Sequence, residues 1–147
     1  MQLLLTLMLL AVISFVLHFV WEKLHIGLYT KYEKLGQGMP LTLMATSGDV
    51  LYTILAVLFV STVKQNILWV IHPTLAEYVS LGILGFCVAL FVEYKALALK
   101  RWAYKKSMPL MFGVGVSPVL QMTLLLPFTV FSTHLTLQAL TDAFVGV

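Results

Sequence analysis

Four long apolar runs, separated by short polar segments, make up most of this chain. They cover residues 3–21, 41–63, 75–94 and 110–131, and each is close to the roughly 20 apolar residues that a helix needs to cross a bilayer. The alternating pattern of a membrane β-strand is absent, whereas helices satisfy their own backbone hydrogen bonds in lipid. The pattern therefore predicts an all-α protein, a bundle of four transmembrane helices that forms one integral membrane domain over residues 1–147.

The ends of these helices are less clearly marked than their centres. A Ser-Gly-Asp triplet at residues 47–49 interrupts the second run, so this helix starts either at residue 41 or at the triplet, which would cap it. We expect the third helix to continue as an amphipathic cytoplasmic extension over residues 95–106, until Pro109 ends it. The mildly apolar tail, residues 132–147, is expected to lie on the membrane surface.

The composition agrees with a protein that is solvated mainly by lipid. Hydrophobic residues make up 61% of the chain and charged residues 10%, against roughly 25% charged residues in soluble domains. The mean hydropathy of +0.99 leaves too little polar surface to cover a water-soluble globule. Cys87 is the single cysteine, so an intrachain disulfide is impossible.

The cations are distributed unevenly along the chain, and this predicts an orientation. Eight of the nine Lys and Arg residues fall in the first and third loops, and the second loop holds only Lys64. By the positive-inside rule the first and third loops are cytoplasmic and both termini lie outside, which is typical of a multi-pass protein of a bacterial inner membrane. No basic stripe with interleaved aromatic residues indicates nucleic acid, so the expected partner is the lipid bilayer.

Three acidic residues at the ends of apolar runs are candidates for catalytic groups. Glu22 closes the first run, Asp49 lies near the start of the second, and Glu93 closes the third, so all three fall on the predicted cytoplasmic side. Ionisable groups in a membrane span are costly, which makes their positions informative. Three acids at one depth predict a shared polar pocket. The alternatives are interfacial anchoring for Trp21 and Glu22, helix capping for Asp49, and pairing of Glu93 with Lys95, Lys100 or a neighbouring helix.

The end of the first run carries further candidates at helical spacing. His18, Trp21, Glu22 and His25 lie three or four residues apart and therefore share one face. Imidazoles beside a carboxylate suit a proton relay or a metal. However, the Glu-x-x-His spacing of di-iron bundles does not recur on a second helix, so we predict no metal site and identify no cofactor. His18 is a candidate proton shuttle, and Trp21 and His25 are candidate ligand contacts.

The third loop combines cations with amphipathic aromatic residues. Arg101, Trp102 and Tyr104 are candidate ligand contacts that would cover the pocket as a lid and hold an anionic headgroup. The alternative is an interfacial helix that lies on anionic headgroups. Gln121 is a further candidate contact, since Pro118 in the fourth run frees a carbonyl that a Gln or a water must satisfy.

A recurring order of residues joins the third run to the fourth. Its members are Trp102, Tyr104, Met108, Pro109, Gly113, Gly115, Pro118 and Gln121, preceded by Trp21-Glu22, Leu28-Tyr29, Gly48-Asp49 and Glu93. It resembles a group of small bacterial integral membrane proteins that carry the pattern W-x-Y-x-x-x-M-P-x-x-x-G-x-G-x-x-P-x-x-Q. The likeness covers most of the chain and implies a topology, not a chemistry. Members often carry a His four residues before the Gly-Asp pair, where this chain has Met44, which argues further against a metal.

Three functions are compatible with this pattern. The first is a membrane enzyme that acts on a lipid-like substrate, with Glu22, Asp49 and Glu93 as acid/base groups. No Gly-x-Ser-x-Gly motif or Cys-His pairing indicates a nucleophile. The second is a proton-coupled carrier of a small molecule, which with only four spans would work as an oligomer. The third is an accessory or assembly subunit without chemistry of its own, bound to a membrane partner.

Overall fold

The computed structural model describes residues 2–30 and 41–145 of the chain. Its long helices confirm the predicted all-α four-helix bundle, and they are α1 (Gln2–His25), α2 (Leu41–Lys64), α3 (Leu75–Ala98) and α4 (Val116–Val145). Short 3₁₀ turns follow α1 and α2, at Ile26–Leu28 and Ile67–Ile71. Before α4, the strands β1 (Leu110–Met111) and β2 (Val114–Gly115) pair as an antiparallel hairpin.

All four described helices are long and apolar enough to cross a membrane. The first three contain 24 residues each and α4 contains 30. At 1.5 Å per residue, 24 residues span about 36 Å, slightly more than the roughly 30 Å of a bilayer's hydrocarbon core. Large apolar side chains such as Phe59 and Phe91 are exposed on the outside of the bundle. The chain is therefore a multi-pass membrane protein.

The helices pack around one apolar core. α1 contacts α2 and α4, and α4 also packs along α3. Leu10, Leu81, Leu126 and Val130 are among the fully buried core residues. The approach of α3 to α4 depends on Gly85, since a Cβ there would lie 2.2 Å from the carbonyl oxygen of Met122. Only glycine allows the two backbones to come this close.

The second helix is continuous through the polar triplet. α2 begins at Leu41, so residues 47–49 lie inside it, and the alternative in which Asp49 caps the helix is wrong. The triplet is tolerated because its polar groups are satisfied: the hydroxyl of Ser47 donates to the carbonyl of Leu43 at 2.8 Å, four residues earlier. Asp49 is thus a residue of the helix interior.

The third helix stops sooner than its predicted extension. α3 ends at Ala98, so the extension predicted for residues 95–106 is helical for one turn only. Lys100 has a φ of 52°, which a right-handed helix does not allow. The chain beyond it pairs instead with the segment that follows α1. Here Thr30 N–H donates to the Ala103 carbonyl at 2.8 Å, and Lys105 N–H donates to the Leu28 carbonyl at 2.9 Å.

The fourth helix begins at Val116 rather than near residue 110. The hairpin turn before it contains Phe112 and Gly113 with positive φ angles of 53° and 79°. Pro118 consequently lies in the first turn of α4, where a missing N–H costs no intrahelical bond. The expectation that Pro118 frees a carbonyl within the span is therefore wrong.

The tail was expected to lie on the membrane surface, but its described part is a continuation of α4. From Ser132 onward the chain continues α4 as far as Val145. Its hydroxyls are satisfied within the helix, as shown by Thr136, which donates to the carbonyl of Ser132 at 2.8 Å. This internal pairing lets a mildly polar segment remain helical in apolar surroundings. Lys31 and Lys34, which count toward the predicted orientation, lie outside the described residues.

Candidate functional site

A partly open cavity of about 250 Å³ lies between the helices at the end of the bundle where α1 ends and α2 and α4 begin. All three acids singled out in the sequence, Glu22, Asp49 and Glu93, line it. Apart from Arg101 and Gln121, the remaining wall is aromatic and apolar, and it includes Tyr29, Met44, Tyr52, Val88, Val92, Trp102 and Met122. We call this space the acidic cavity. It brings three carboxyl groups from three helices to one place.

Gln121 joins three helices at the wall of the acidic cavity. Its amide Nε2 donates to Oδ2 of Asp49 at 2.8 Å and lies 3.1 Å from Nδ1 of His18. Gln121 is 2% exposed and His18 is fully buried. One amide group on α4 therefore fixes an acid on α2 and an imidazole on α1.

The hydrogen bonds around His18 assign its protonation. The hydroxyl of Thr53 donates to the carbonyl oxygen of Asp49 at 2.9 Å, so it accepts from Nε2 of His18, 3.1 Å away. Nδ1 then carries no proton and accepts from Gln121. His18 is neutral with both nitrogens occupied, and it does not border the cavity. Its contacts hold it between α2 and α4, and its predicted role as a proton shuttle stays a prediction.

Glu22 lines the acidic cavity and also contacts His25 on its own helix. Its carboxyl group lines the acidic cavity together with the carboxyl group of Asp49. Its Oε1 accepts a hydrogen bond from Nε2 of His25 at 3.0 Å, one turn further along α1. Glu22 is only 4% exposed, so the alternative in which it anchors α1 at the interface is wrong. Its partners are other side chains of the bundle.

His25 continues this chain of contacts away from the cavity. Its Nδ1 lies 2.7 Å from Oγ of Ser117, at the start of α4. The same Oγ accepts a hydrogen bond from the indole N–H of Trp21 at 3.3 Å. The ring of His25 also packs edge-on against Tyr29, with 5.4 Å between the ring centroids. His25 and Trp21 thus lie behind the cavity wall, and neither borders the cavity.

Glu93 is held by the third loop rather than by a lysine. Both hydrogen-bond donors to its Oε2 are aromatic side chains of that loop, the hydroxyl of Tyr104 and the indole N–H of Trp102, the latter at 3.1 Å. The alternative in which Glu93 pairs with Lys95 is therefore wrong. Burial and the hydrogen bond to the Glu93 carboxylate raise the pKa of Tyr104 above its usual range, so Tyr104 stays a protonated donor.

The third loop closes one side of the acidic cavity. Trp102 and Arg101 line the cavity, while Tyr104 reaches Glu93 from behind and does not border it. Tyr104 also forms an isolated β-bridge with Tyr29, whose side chain is another part of the cavity wall. Arg101 is exposed to the outside of the bundle. The loop thus places one cation at the cavity opening.

Of the ten candidate residues, six line the acidic cavity: Glu22, Asp49, Glu93, Arg101, Trp102 and Gln121. The other four, His18, Trp21, His25 and Tyr104, support residues of that wall or its neighbours through the hydrogen bonds given above. The catalytic and ligand-binding roles of all ten remain predictions. The structure supplies their positions.

Sequence reasoning missed the residues that complete these contacts. Ser117 lies 92 residues from its partner His25, and Thr53 lies 35 residues from His18. A serine or threonine in an apolar run is common, because its hydroxyl can bond its own helix. Only the helical spacing of Asp49 and Thr53, four residues apart, gave a signal that they share a face.

The acidic cavity offers several kinds of side chain that could take part in chemistry. Among residues 2–30 and 41–145, no three His, Cys, Asp or Glu side chains are grouped so that they could hold a metal ion. The cavity instead offers carboxyl groups, an amide, a cation and aromatic hydroxyls. No protein-family model, curated protein or solved structure matches the chain, so its function has to follow from this geometry.

Proposed function

We propose that this chain is a small membrane enzyme that carries out acid/base chemistry on a lipid-like substrate held in the acidic cavity. The observation that carries the proposal is that the carboxyl groups of Glu22, Asp49 and Glu93, from three different helices, line one cavity. Repulsion between negative charges disfavours the ionisation of two neighbouring carboxyl groups in an apolar cavity. One member can then donate a proton while the other accepts one.

The size and walls of the cavity favour an amphiphilic substrate. A volume of about 250 Å³ is smaller than most pockets that enclose a whole small molecule. It accommodates the reacting end of a lipid, while the chains extend into the bilayer through the opening. Val88, Val92 and Met122 supply apolar wall beside the acids. Such a wall keeps water away from the carboxyl groups and strengthens their interactions.

The charges outside the cavity favour an anionic headgroup on the cytoplasmic side. Arg101 lies at the opening, and Lys100, Lys105 and Lys106 belong to the same exposed loop. This end of the bundle carries the two cation-rich loops, which the positive-inside rule assigns to the cytoplasm of a cell with an inner membrane. Polybasic segments attract the anionic lipids of that leaflet.

A second candidate function, proton-coupled transport, has one observation in its favour. Ser14 and Thr129 are fully buried in the bundle, and their hydroxyls have no hydrogen-bond partner among residues 2–30 and 41–145. Buried hydroxyls of this kind are usually satisfied by water, which a proton path requires. Against this candidate, fully buried Leu10 and Leu126 occupy the same core. The accessory role is less favoured, because the acids face one shared cavity.

Blocking the cavity tests whether it holds a lipid-like molecule. A Cβ at Gly48, on the cavity wall, meets no atom within 4 Å, so Gly48→Leu fills the cavity without a backbone clash. Gly27→Leu is the matched control, since Gly27 has the same free space but lies outside the cavity. Lipids that copurify with each protein are measured by mass spectrometry after reconstitution in phosphatidylethanolamine and phosphatidylglycerol vesicles. We expect Gly48→Leu to lose bound lipid and Gly27→Leu to keep it.

The chemistry is tested by following the vesicle lipids over time. We expect the wild type to change the mass of a lipid, and we expect Glu22→Gln and Asp49→Asn to slow this change by about 100-fold, the usual contribution of a general acid or base. Asp142→Asn, an exposed change at the opposite end of the bundle, should have no effect. Equal lipid retention by Gly48→Leu and Gly27→Leu would contradict the proposal. Proton flux into the vesicles without lipid turnover would favour the carrier.

A further inference from the structure

Ser117, His25 and Glu22 form a continuous relay behind the wall of the acidic cavity. Oγ of Ser117 lies 2.7 Å from Nδ1 of His25, and Nε2 of His25 lies 3.0 Å from Oε1 of Glu22. Glu22 and His25 belong to α1 and Ser117 belongs to α4, and His25 and Ser117 are 92 positions apart in the chain. A hydroxyl, an imidazole and a carboxylate in this order are the elements of a serine nucleophile with its base and its orienting acid.

The direction of the hydrogen bonds fits that chemistry. A carboxylate only accepts, so Glu22 receives the proton of His25 Nε2, and Nδ1 is left to accept from the hydroxyl of Ser117. The indole N–H of Trp21 donates to the same hydroxyl oxygen at 3.3 Å. This N–H stabilises negative charge on Oγ when its proton moves to His25. His25 is 5% exposed, so water does not compete for the imidazole.

The position of Ser117 gives its hydroxyl both access and a favourable field. Ser117 is half-buried and is the second residue of α4, so the positive end of the helix dipole lies beside it. The next residue, Pro118, lines the acidic cavity. Trp21, at the end of a membrane span, marks the depth of the headgroup interface. The ester groups of membrane lipids also lie at this interface.

We propose that Ser117 is a nucleophile that cleaves a carboxylic ester of a membrane lipid, with His25 as the base and Glu22 as the residue that orients it. This inference rests on the proposed enzymatic function and names its reaction and substrate class. Oγ of Ser117 bonds to the ester carbonyl carbon and its proton passes to Nδ1 of His25. The bond from that carbon to the alcohol oxygen then breaks, and His25 returns the proton to this oxygen. Water releases the acyl group as a carboxylic acid and restores the hydroxyl of Ser117.

The relay is tested with an alkyl fluorophosphonate, which reacts with activated serines. Attack by Ser117 forms an Oγ–P bond and releases fluoride, and the adduct on the full-length protein in vesicles is located by peptide mass spectrometry. We expect the adduct on Ser117, its loss in Ser117→Ala, and a labelling rate about 100-fold lower in His25→Gln. Ser107→Ala is the matched control, because Ser107 is exposed in the third loop at the same end of the bundle and should not affect labelling.

A thiol at the same position provides a second measurement, independent of the fluorophosphonate. We expect the thiol introduced by Ser117→Cys to be alkylated by iodoacetamide at least about tenfold faster with His25 present than in combination with His25→Gln, since the imidazole favours the thiolate. No adduct on Ser117, or equal rates with and without His25, would overturn the nucleophile. Fluorophosphonate labelling does not need the acidic cavity. Labelling of Ser117 with unchanged lipid retention in Gly48→Leu would therefore contradict the proposed function alone.

Discussion

The two ends of the bundle satisfy their polar groups in different ways. At the acidic end, which holds Glu22, Asp49 and Glu93, hydrogen bonds run between helices and join residues 72, 92 and 103 positions apart. At the opposite end, Glu77 bonds Thr74 in the same turn and Lys64 thirteen residues earlier. Most polar groups there find partners close in sequence. Apart from the 2.6 Å contact between Nδ1 of His134 and the carbonyl oxygen of Ile71, 63 positions apart, this end is stabilised mainly by contacts close in sequence. The acidic end depends on the assembled bundle.

This difference distinguishes polar groups that stabilise the fold from polar groups that we associate with a function. The capping box of Thr74 and Glu77 starts α3 and requires no other helix. By contrast, Gln121 and Asp49 place polar groups between helices, where an apolar pair would pack at lower cost. Polar groups that are costly to bury and that surround a cavity are the ones that we associate with chemistry.

The largest expected effect is at the contact between α3 and α4 that supports the acidic end. Gly85→Ala puts a Cβ 2.2 Å from the carbonyl oxygen of Met122, a cavity residue, and the backbone there cannot yield without separating the helices. We expect a loss of about 3 kcal/mol or more in the free energy of unfolding, measured by SDS titration of the protein in detergent. Gly82→Ala is the control, since its Cβ would have an ordinary contact at 3.6 Å. Similar losses for both variants would contradict this account.

Removing the amide that joins three helices should be the next largest change. Gln121→Leu leaves Nδ1 of His18 and Oδ2 of Asp49 without their donor, which we expect to cost about 2–3 kcal/mol of unfolding free energy. Thr136→Val is the control on the same helix, because the hydroxyl of Thr136 bonds only its own helix and should change stability by about 0.5 kcal/mol or less. If Gln121→Leu and Thr136→Val lose the same unfolding free energy, polar contacts between helices at the acidic end contribute no more to stability than a contact within one helix.

The pH dependence of the stability of Tyr104→Phe tests one polar contact of the acidic end. The variant loses the hydrogen bond to Glu93, and we expect it to be about 1–2 kcal/mol less stable at neutral pH. The raised pKa of Tyr104 means that the unfolded chain releases this proton first as the pH rises above the ordinary value of 10.0. Wild-type stability should therefore fall above that pH. The fall should be smaller in Tyr104→Phe, and equal slopes in alkaline unfolding titrations would contradict the assignment.

The smallest expected effect is at the opposite end. Lys64→Met removes the ion pair with Glu77, whose carboxylate keeps its bonds to Thr74. Because a third of the Lys64 side chain is exposed, we expect a loss of about 1 kcal/mol or less in the same unfolding assay. Lipid retention should be unchanged, since Lys64 lies away from the acidic cavity. Loss of bound lipid in this variant would show that the two ends are coupled.

Much of this architecture could be predicted from local patterns. The four apolar runs predicted four membrane helices, and the positions of Glu22, Asp49 and Glu93 near run ends predicted that the acids lie at one depth. The helix ends were predicted less well. Residues 95–106 have the charges of an amphipathic helix, yet their backbone bonds to the segment after α1, which no local pattern reveals. The start of α4 was displaced by the hairpin of β1 and β2.

The sequence by itself determined that the chain crosses a membrane, how many times, and which acids lie near one another in depth. Apolar length and charge position decide these properties, because the cost of exposing polar groups to lipid acts on each segment separately. The tertiary structure alone decided that Glu22 and Asp49 line one cavity, that Trp102 and Tyr104 hold Glu93, and that His25 reaches Ser117. These contacts depend on how each helix is rotated and how deeply it sits against its neighbours. That is set by packing across the whole bundle, as at Gly85.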